Sequence, residues 1–181
     1  LISGSNQVLG KEHDWTISFW FKGTDSNGPI FGGSNDHSSF HCLIYSLAGH
    51  DNLMLQYNQG SVSYTGTDIH DGNWKHVCIT FKAAPSGTNW YWLRDDSSSQ
   101  SGLAVYINNT RATGYTQTAG SSNTSAELFS GSDFRFFSRG TWSDSAQGDY
   151  DEIAIFDSCK SDTEVANIYS SGSPDDLSSD T

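Results

Sequence analysis

A chain of 181 residues with a formal charge of -12, from 21 acidic against nine basic residues, repels a phosphate backbone and argues against nucleic acid as a partner. Only 35% of it is apolar, yet 13% is aromatic and serine and glycine are abundant, which disfavours disorder and favours strands joined by long polar loops. One domain is expected at this length, no apolar run is long enough for a membrane span, and no signal peptide opens the chain. A strand-like start without methionine reads as a domain excised from a longer protein.

Leu1 to Gly10 reads as a short edge segment around a Ser-Gly-Ser-Asn turn. Trp15, Ile17, Phe19 and Phe21 then share one strand face, and Thr16, Ser18, Trp20 and Lys22 the other. Pro29 to Gly33 is brief and apolar. Phe40 to Leu47 alternates, with His41, Leu43, Tyr45 and Leu47 on one side. Asn52 to Tyr57 turns through Asn58 to Gly60 into Ser61 to Tyr64. Trp74 to Lys82 points Val77, Ile79 and Phe81 inward. The stretch from Ala83 to Ser101 is less regular and holds Trp90, Tyr91, Trp92 and Arg94. Leu103, Val105 and Ile107 restore the alternation, Asn108 and Asn109 make a turn, and Thr110 to Thr113 returns. Leu128–Phe129 and Asp133 to Phe137 are shorter pieces.

The stretch DYDEIAIFD, Asp149 to Asp157, alternates throughout. Asp149, Asp151, Ile153, Ile155 and Asp157 take one face; Tyr150, Glu152, Ala154 and Phe156 take the other. It is expected beside the early strand Trp15 to Phe21. One helix follows, Asp162 to Tyr169. It opens on the capping box Ser161 and Glu164, packs through Val165, Ile168 and Tyr169, and stops at Gly172 and Pro174. Many short strands with one late helix predict a two-sheet antiparallel sandwich. The domain is expected over 1–172, with an acidic tail or linker over 173–181. Three cysteines, Cys42, Cys78 and Cys159, fit no zinc spacing and allow at most one internal disulfide, whose pairing stays open.

Five segments resemble the laminin G-like, or concanavalin A-like, lectin-glucanase family. They are LISGSNQVL (Leu1 to Leu9), WTISFWFK (Trp15 to Lys22), DGNWKHVCITF (Asp71 to Phe81), GLAVYINN (Gly102 to Asn109) and the closing run Asp149 to Tyr169. The resemblance implies an all-β jelly-roll of two curved sheets with one short C-terminal helix. It also implies binding of glycans, proteins or lipids, and in many members a structural calcium ion. Asp151 matches the acidic position that helps to hold that ion. An Asn108-Asn109 turn replaces the family's Asp-Gly, which the tolerance of Asn for positive φ permits. The stretch around Trp90 is longer than the family version.

Candidate sites follow from chemistry. Asp149 and Asp151 are the carboxylates expected to converge on Ca²⁺, which needs six to eight oxygens. Backbone carbonyls from Ser3 to Gln7 or from the Gly140 to Gly148 loop would have to complete the shell, and strand-end hydrogen bonds are the alternative use. Asp14, Asp36 and Asp51 are lesser candidates. Sugar recognition needs aromatic faces flanked by polar groups, and Trp90, Trp92, Arg94 and Tyr106 supply them, with Tyr45 and His41 adding to the same surface; the alternative is that the tryptophans are core. Family glucanases carry an E-x-D-x-E-type strand. Here Ile153 takes its third acidic position and Glu152 is expected on the reverse face, so no catalytic role is expected. The sequence therefore predicts a non-catalytic, lectin-like carbohydrate-binding module of a larger extracellular, surface or virion protein. The alternative is a structural or protein-interaction domain such as an adhesin, tail or capsid component, with no membrane insertion in either case.

Overall fold

The computed structural model describes residues 9–24, 27–33, 41–45, 52–57, 60–85, 88–95, 100–119, 123–124, 134–136, 147–170 and 172. Residues 1–8, Asp36, Asp51, Leu128–Phe129, the loop before Gln147 and the tail 173–181 lie outside them. The described elements run β1 (Trp15–Lys22), β2 (Asn27–Gly33), β3 (His41–Tyr45), β4 (Asn52–Tyr57), β5 (Gly60–Asp68), β6 (Lys75–Lys82), β7 (Trp90–Tyr91), β8 (Gly102–Ile107), β9 (Thr110–Arg111), β10 (Tyr115–Ala119), β11 (Asn123–Thr124), β12 (Phe134–Phe136), β13 (Asp149–Phe156) and α1 (Asp162–Tyr169).

They form two sheets. The first has the order β11-β7-β8-β6-β1-β13, with β9 beside β8; the second has the order β10-β5-β4-β3-β2-β12. Period-two patterning explains how they meet. Trp15, Ile17, Phe19 and Phe21 of β1 join Val77, Ile79 and Phe81 of β6 and Leu103, Val105 and Ile107 of β8. Against them pack Ile30 and Phe31, Leu53 and Leu55, and Val62 and Tyr64 from the second sheet, in one buried cluster. Phe19 meets Phe31 edge-on across the interlayer, with centroids 6.2 Å apart. The result is the expected two-sheet sandwich with a short C-terminal helix.

The late acidic strand lies beside the early one, as its pattern predicts: β13 pairs antiparallel with β1 from Thr16↔Phe156 to Lys22↔Asp149. The uniform alternation expected along it is not what forms. The register shifts between Ser18 and Trp20, and Glu152 adopts φ 46. This is a β-bulge, in which two residues oppose one and the phase reverses. Tyr150 consequently packs inward on Phe21, with centroids 5.1 Å apart, and Ile155 joins the same core. Asp149 and Asp151 therefore lie on the outer face, opposite Lys22 and Trp20.

Helix α1 covers part of the outer face of the first sheet. Helix α1 begins and ends where the sequence predicts, and Ser161 with Glu164 forms the full capping box. Val165 of α1 buries Cys78, Ala104 and Tyr106 on the outer face, and Tyr169 stacks on Trp20 at 5.7 Å. The hairpin between β8 and β9 turns through Asn108 and Asn109 at φ 48 and 62, the paired positive angles of a type I′ turn.

Candidate functional site

The candidate sugar-binding residues do not converge on one surface. Trp90 and Trp92 flank the outward Tyr91, so alternation sends both indoles between the sheets. Trp90 is 0% and Trp92 2% exposed. Trp90 packs edge-on against Phe81 at 5.9 Å and against Trp92 at 4.9 Å. The Tyr64 hydroxyl donates to the Trp92 carbonyl. These rings extend the core, correcting their expected place on a sugar-facing surface. Tyr91 is the exposed aromatic of the segment, at 38%. Its strand β7 sits against Gly102 of β8 in parallel. Gly102 has φ +138, and a Cβ there would collide with the Tyr91 carbonyl, so glycine is required for this approach.

His41 and Tyr45 begin and end β3, in the opposite sheet from β8. They and Tyr106 thus belong to different sheets. Arg94 and Tyr106 do come together, on the outer face of the first sheet. Arg94 Nη1 donates to the carbonyls of Thr80 and Gly102 at 3.1 and 3.2 Å. Arg111, which the sequence reading did not single out, donates to the Arg94 carbonyl at 2.6 Å and lies 6.0 Å over the Tyr106 ring. Burial, and then the neighbouring Arg94 charge, hold Arg111 below the usual guanidinium range. The Tyr106 hydroxyl donates to Asp162 Oδ1 at 2.6 Å, and burial followed by that carboxylate pushes its acidity well below that of a free phenol. The ring itself is covered, so this cluster ties α1 to β8 and leaves two half-buried guanidiniums at its rim.

The acidic strand carries a second group of polar side chains. Asp149 is exposed and Asp151 half-buried. Asp151 Oδ1 accepts the Glu152 amide at 2.8 Å. Glu152, expected on the reverse face, is turned by the bulge so that Oε2 accepts the Trp20 indole N–H at 3.0 Å. Asp14 Oδ1 accepts the Ala83 amide at 2.7 Å. Each carboxylate so engaged satisfies a backbone or indole donor. Among the described residues no group of three or more His, Cys, Asp or Glu side chains is placed to hold a metal. Two carboxylates supply fewer oxygens than Ca²⁺ requires, so an ion held by Asp149 and Asp151 would need further oxygens beside them.

A third constellation was hidden in the sequence. Ser18 Oγ and His76 Nε2 are hydrogen-bonded at 2.8 Å in a buried position. Residues on facing strands form the pair, Trp20 and Tyr169 roof it at 5.1 and 5.7 Å from the imidazole, and the His76 amide donates to Asn108 Oδ1. A hydroxyl beside an imidazole has the geometry of an activated nucleophile. Here the histidine is 1% exposed, and its Nδ1 has no hydrogen-bond partner among the described residues. Covered by Trp20 and Tyr169, with no partner for Nδ1 among the described residues, the pair links β1 to β6. Burial lowers its pKa to about 4.

Residues 2–166 match the laminin G-type family described as the concanavalin A-like lectin/glucanases superfamily. Among solved structures, the native heptameric SAP-like pentraxin from Limulus polyphemus is similar at a TM-score of 0.58 and 20% identity, over 90% of this chain and 71% of that one. Domain 4 of AbnA, a GH43 extracellular arabinanase from Geobacillus stearothermophilus, in complex with arabinotriose, is similar at a TM-score of 0.55 and 16% identity. That match covers 87% of this chain and 66% of that one, just under two thirds. Likeness at these identities establishes the fold. No curated protein matches the chain in sequence.

Proposed function

Because the chain belongs to the concanavalin A-like lectin/glucanase superfamily, we propose that it is a non-catalytic binding module of a larger extracellular or surface protein, and that its partner is a protein. One observation carries this reading: the tryptophans best suited to stack on sugar rings are committed to the core. What the described surface offers instead is charge, in the Arg94 and Arg111 rim and the outward carboxylates Asp149 and Asp151, and charged groups suit steering and registry against a protein. The acidic side chains nearest a glucanase strand are engaged in backbone and indole hydrogen bonds, which supports a module without turnover. No helix among the described residues is long and apolar enough to cross a membrane.

Carbohydrate recognition is the second reading. Tyr91 favours it, because this exposed ring lies in the same segment as the buried tryptophans. The purified chain, screened against a glycan array and against displayed extracellular proteins, distinguishes the two. Saturable capture of a defined protein with a silent array is expected. Capture of a defined sugar, lost in Tyr91→Ala, would establish the second reading, and turnover of that sugar would contradict a non-catalytic module.

A calcium ion at Asp149 and Asp151 enters the proposal only as a support for the loops around β13. What supports it is two carboxylates at alternate positions on one face of the strand. Its test is thermal. With calcium bound, chelator lowers the melting temperature of the wild-type chain by several degrees and leaves Asp151→Ala unmoved. Equal melting temperatures with and without calcium would remove the ion from the account.

A further inference from the structure

We propose that Tyr91, Arg94 and Arg111 form a docking strip for an acidic segment of the partner protein, in which a glutamate or aspartate carboxylate of that segment takes the open edge of the Arg94 guanidinium. The proposal rests on the protein-binding reading above and names the chemistry of the partner.

One edge of β8 builds the strip. Tyr91 pairs with Gly102, the Arg94 amide donates to the Leu103 carbonyl at 2.7 Å, and Arg111 of β9 pairs with Tyr106. The three residues therefore follow one another along the same strand, on the side away from β6. The inner face there is filled by Trp90, Trp92, Leu103 and Val105, so the side chains of the strip take the outer face. Helix α1 borders it, where the Tyr106 hydroxyl donates to Asp162 Oδ1.

Arg94 is pinned on one side and open on the other. Its Nη1 bonds to the Thr80 and Gly102 carbonyls fix the guanidinium across β8. Nε and Nη2 have no hydrogen-bond partner among the described residues, and neither is buried. Their two parallel N–H groups make the fork that matches both oxygens of a carboxylate. Because Nη1 is already held, closing that fork costs little further side-chain freedom.

Arg111 adds positive potential beside it. Its Nη2 donates to the Arg94 carbonyl at 2.6 Å. After burial, the Arg94 charge disfavours the charged form of Arg111, while Asp162 and Asp95 favour it. A carboxylate on Arg94 relieves that repulsion. Tyr91 supplies the apolar contact, because its exposed ring belongs to the residue paired with Gly102, whose carbonyl holds Arg94. Tyrosine and arginine are the side chains that carry most of the energy at protein interfaces. The net charge of -12 limits the partner. A body acidic all over is repelled at a distance, so the carboxylates belong to a local segment of it.

The isotope-labelled chain is titrated with a blocked glycine-rich peptide carrying three glutamates, with its glutamine counterpart and with inorganic phosphate, while the Nε–H resonances of Arg94 and Arg111 are followed. The glutamate peptide is expected to shift both saturably and the glutamine peptide neither. Arg94→Lys keeps the charge without the fork, and is expected to weaken binding, read at Arg111, by about tenfold. Tyr91→Ala, which leaves Arg94 in place, is expected to weaken it severalfold. Absence of a saturable shift, equal shifts from the two peptides, or an Arg94→Lys variant that binds as the wild type does would overturn the proposal. So would phosphate saturating these resonances below the peptide concentration, which marks an inorganic-anion site. Capture of a displayed protein that survives both substitutions would remove the strip and leave the protein-binding reading standing. A sugar captured on the array, with no peptide shift, would remove both.

Discussion

Trp92→Ala is expected to lower stability by about 3–5 kcal/mol, the range for emptying a large aromatic site in a packed core, and to lower the melting temperature by roughly 10 °C. The indole is buried, sits 4.9 Å from Trp90 at an interplanar angle of 70°, and ends a chain of rings that continues through Phe81 to Trp15. Removing it leaves a void that the backbone cannot readily close. The neighbouring strand β8 is held to this segment by the Tyr91 amide on the Ser101 carbonyl and the Arg94 amide on the Leu103 carbonyl. Tyr91→Ala, one position away, is expected to change stability by about 0.5 kcal/mol or less, because its ring faces solvent. Thermal melts of the two variants side by side check both values. The contrast also governs how binding data are read: ligand loss in Trp92→Ala reports unfolding, while ligand loss in Tyr91→Ala with an unchanged melting temperature reports contact.

Acid is expected to weaken the fold through one buried imidazole. His76 has an ordinary pKa of 6.5 when the chain is unfolded and about 4 when folded, because burial disfavours its charged form. Between those values the unfolded state binds the proton and the folded state does not. Stability from neutral His76 is therefore complete above pH 6.5 and is lost progressively as the pH falls to about 4, by about 3 kcal/mol in all. Glu152 reaches the same roof through the Trp20 indole, and Tyr169 covers the ring from α1. The carboxyls of Asp71 and Glu164 are held below their ordinary values, by Lys75 and by the Ser161 backbone respectively, so what they contribute is lost as the pH falls through the carboxylate range, beginning at the acid end of this window. Denaturant unfolding at pH 7, 5.5 and 4.5 measures the loss. His76→Gln is expected to flatten it over that window while keeping a polar group beside Ser18. An equally steep decline in the variant would place the acid sensitivity elsewhere.

The parts of this fold that were legible in the sequence are those where local chemistry and burial agree. Trp15 to Lys22 alternates because one of its faces fills the interlayer, and Ser161 with Glu164 announces the start of α1 through backbone donors they satisfy themselves. Asn108 and Asn109 mark a turn for the same local reason. The β13 bulge was hidden, because an extra residue in a strand needs no special side chain: Glu152 takes φ 46 without glycine. The outward positions of the first sheet also misled. Trp20, His76, Cys78 and Tyr106 belong to a second buried layer under α1, and a face covered by a helix leaves no polar stripe to read. For Trp90 and Trp92 a signal was present. Their spacing of two, with tyrosine between, is itself a strand pattern, although β7 is only two residues long.

That segment also carries the central claim, since recognition by Trp90 and Trp92 would require both rings at the surface. Native-state amide hydrogen exchange across residues 90–94 addresses it directly. Protection of the Tyr91 and Arg94 amides comparable to that of β6 and β8 is the predicted result. Exchange there at the rate of an open loop would contradict the account and return the two tryptophans to the sugar-facing role.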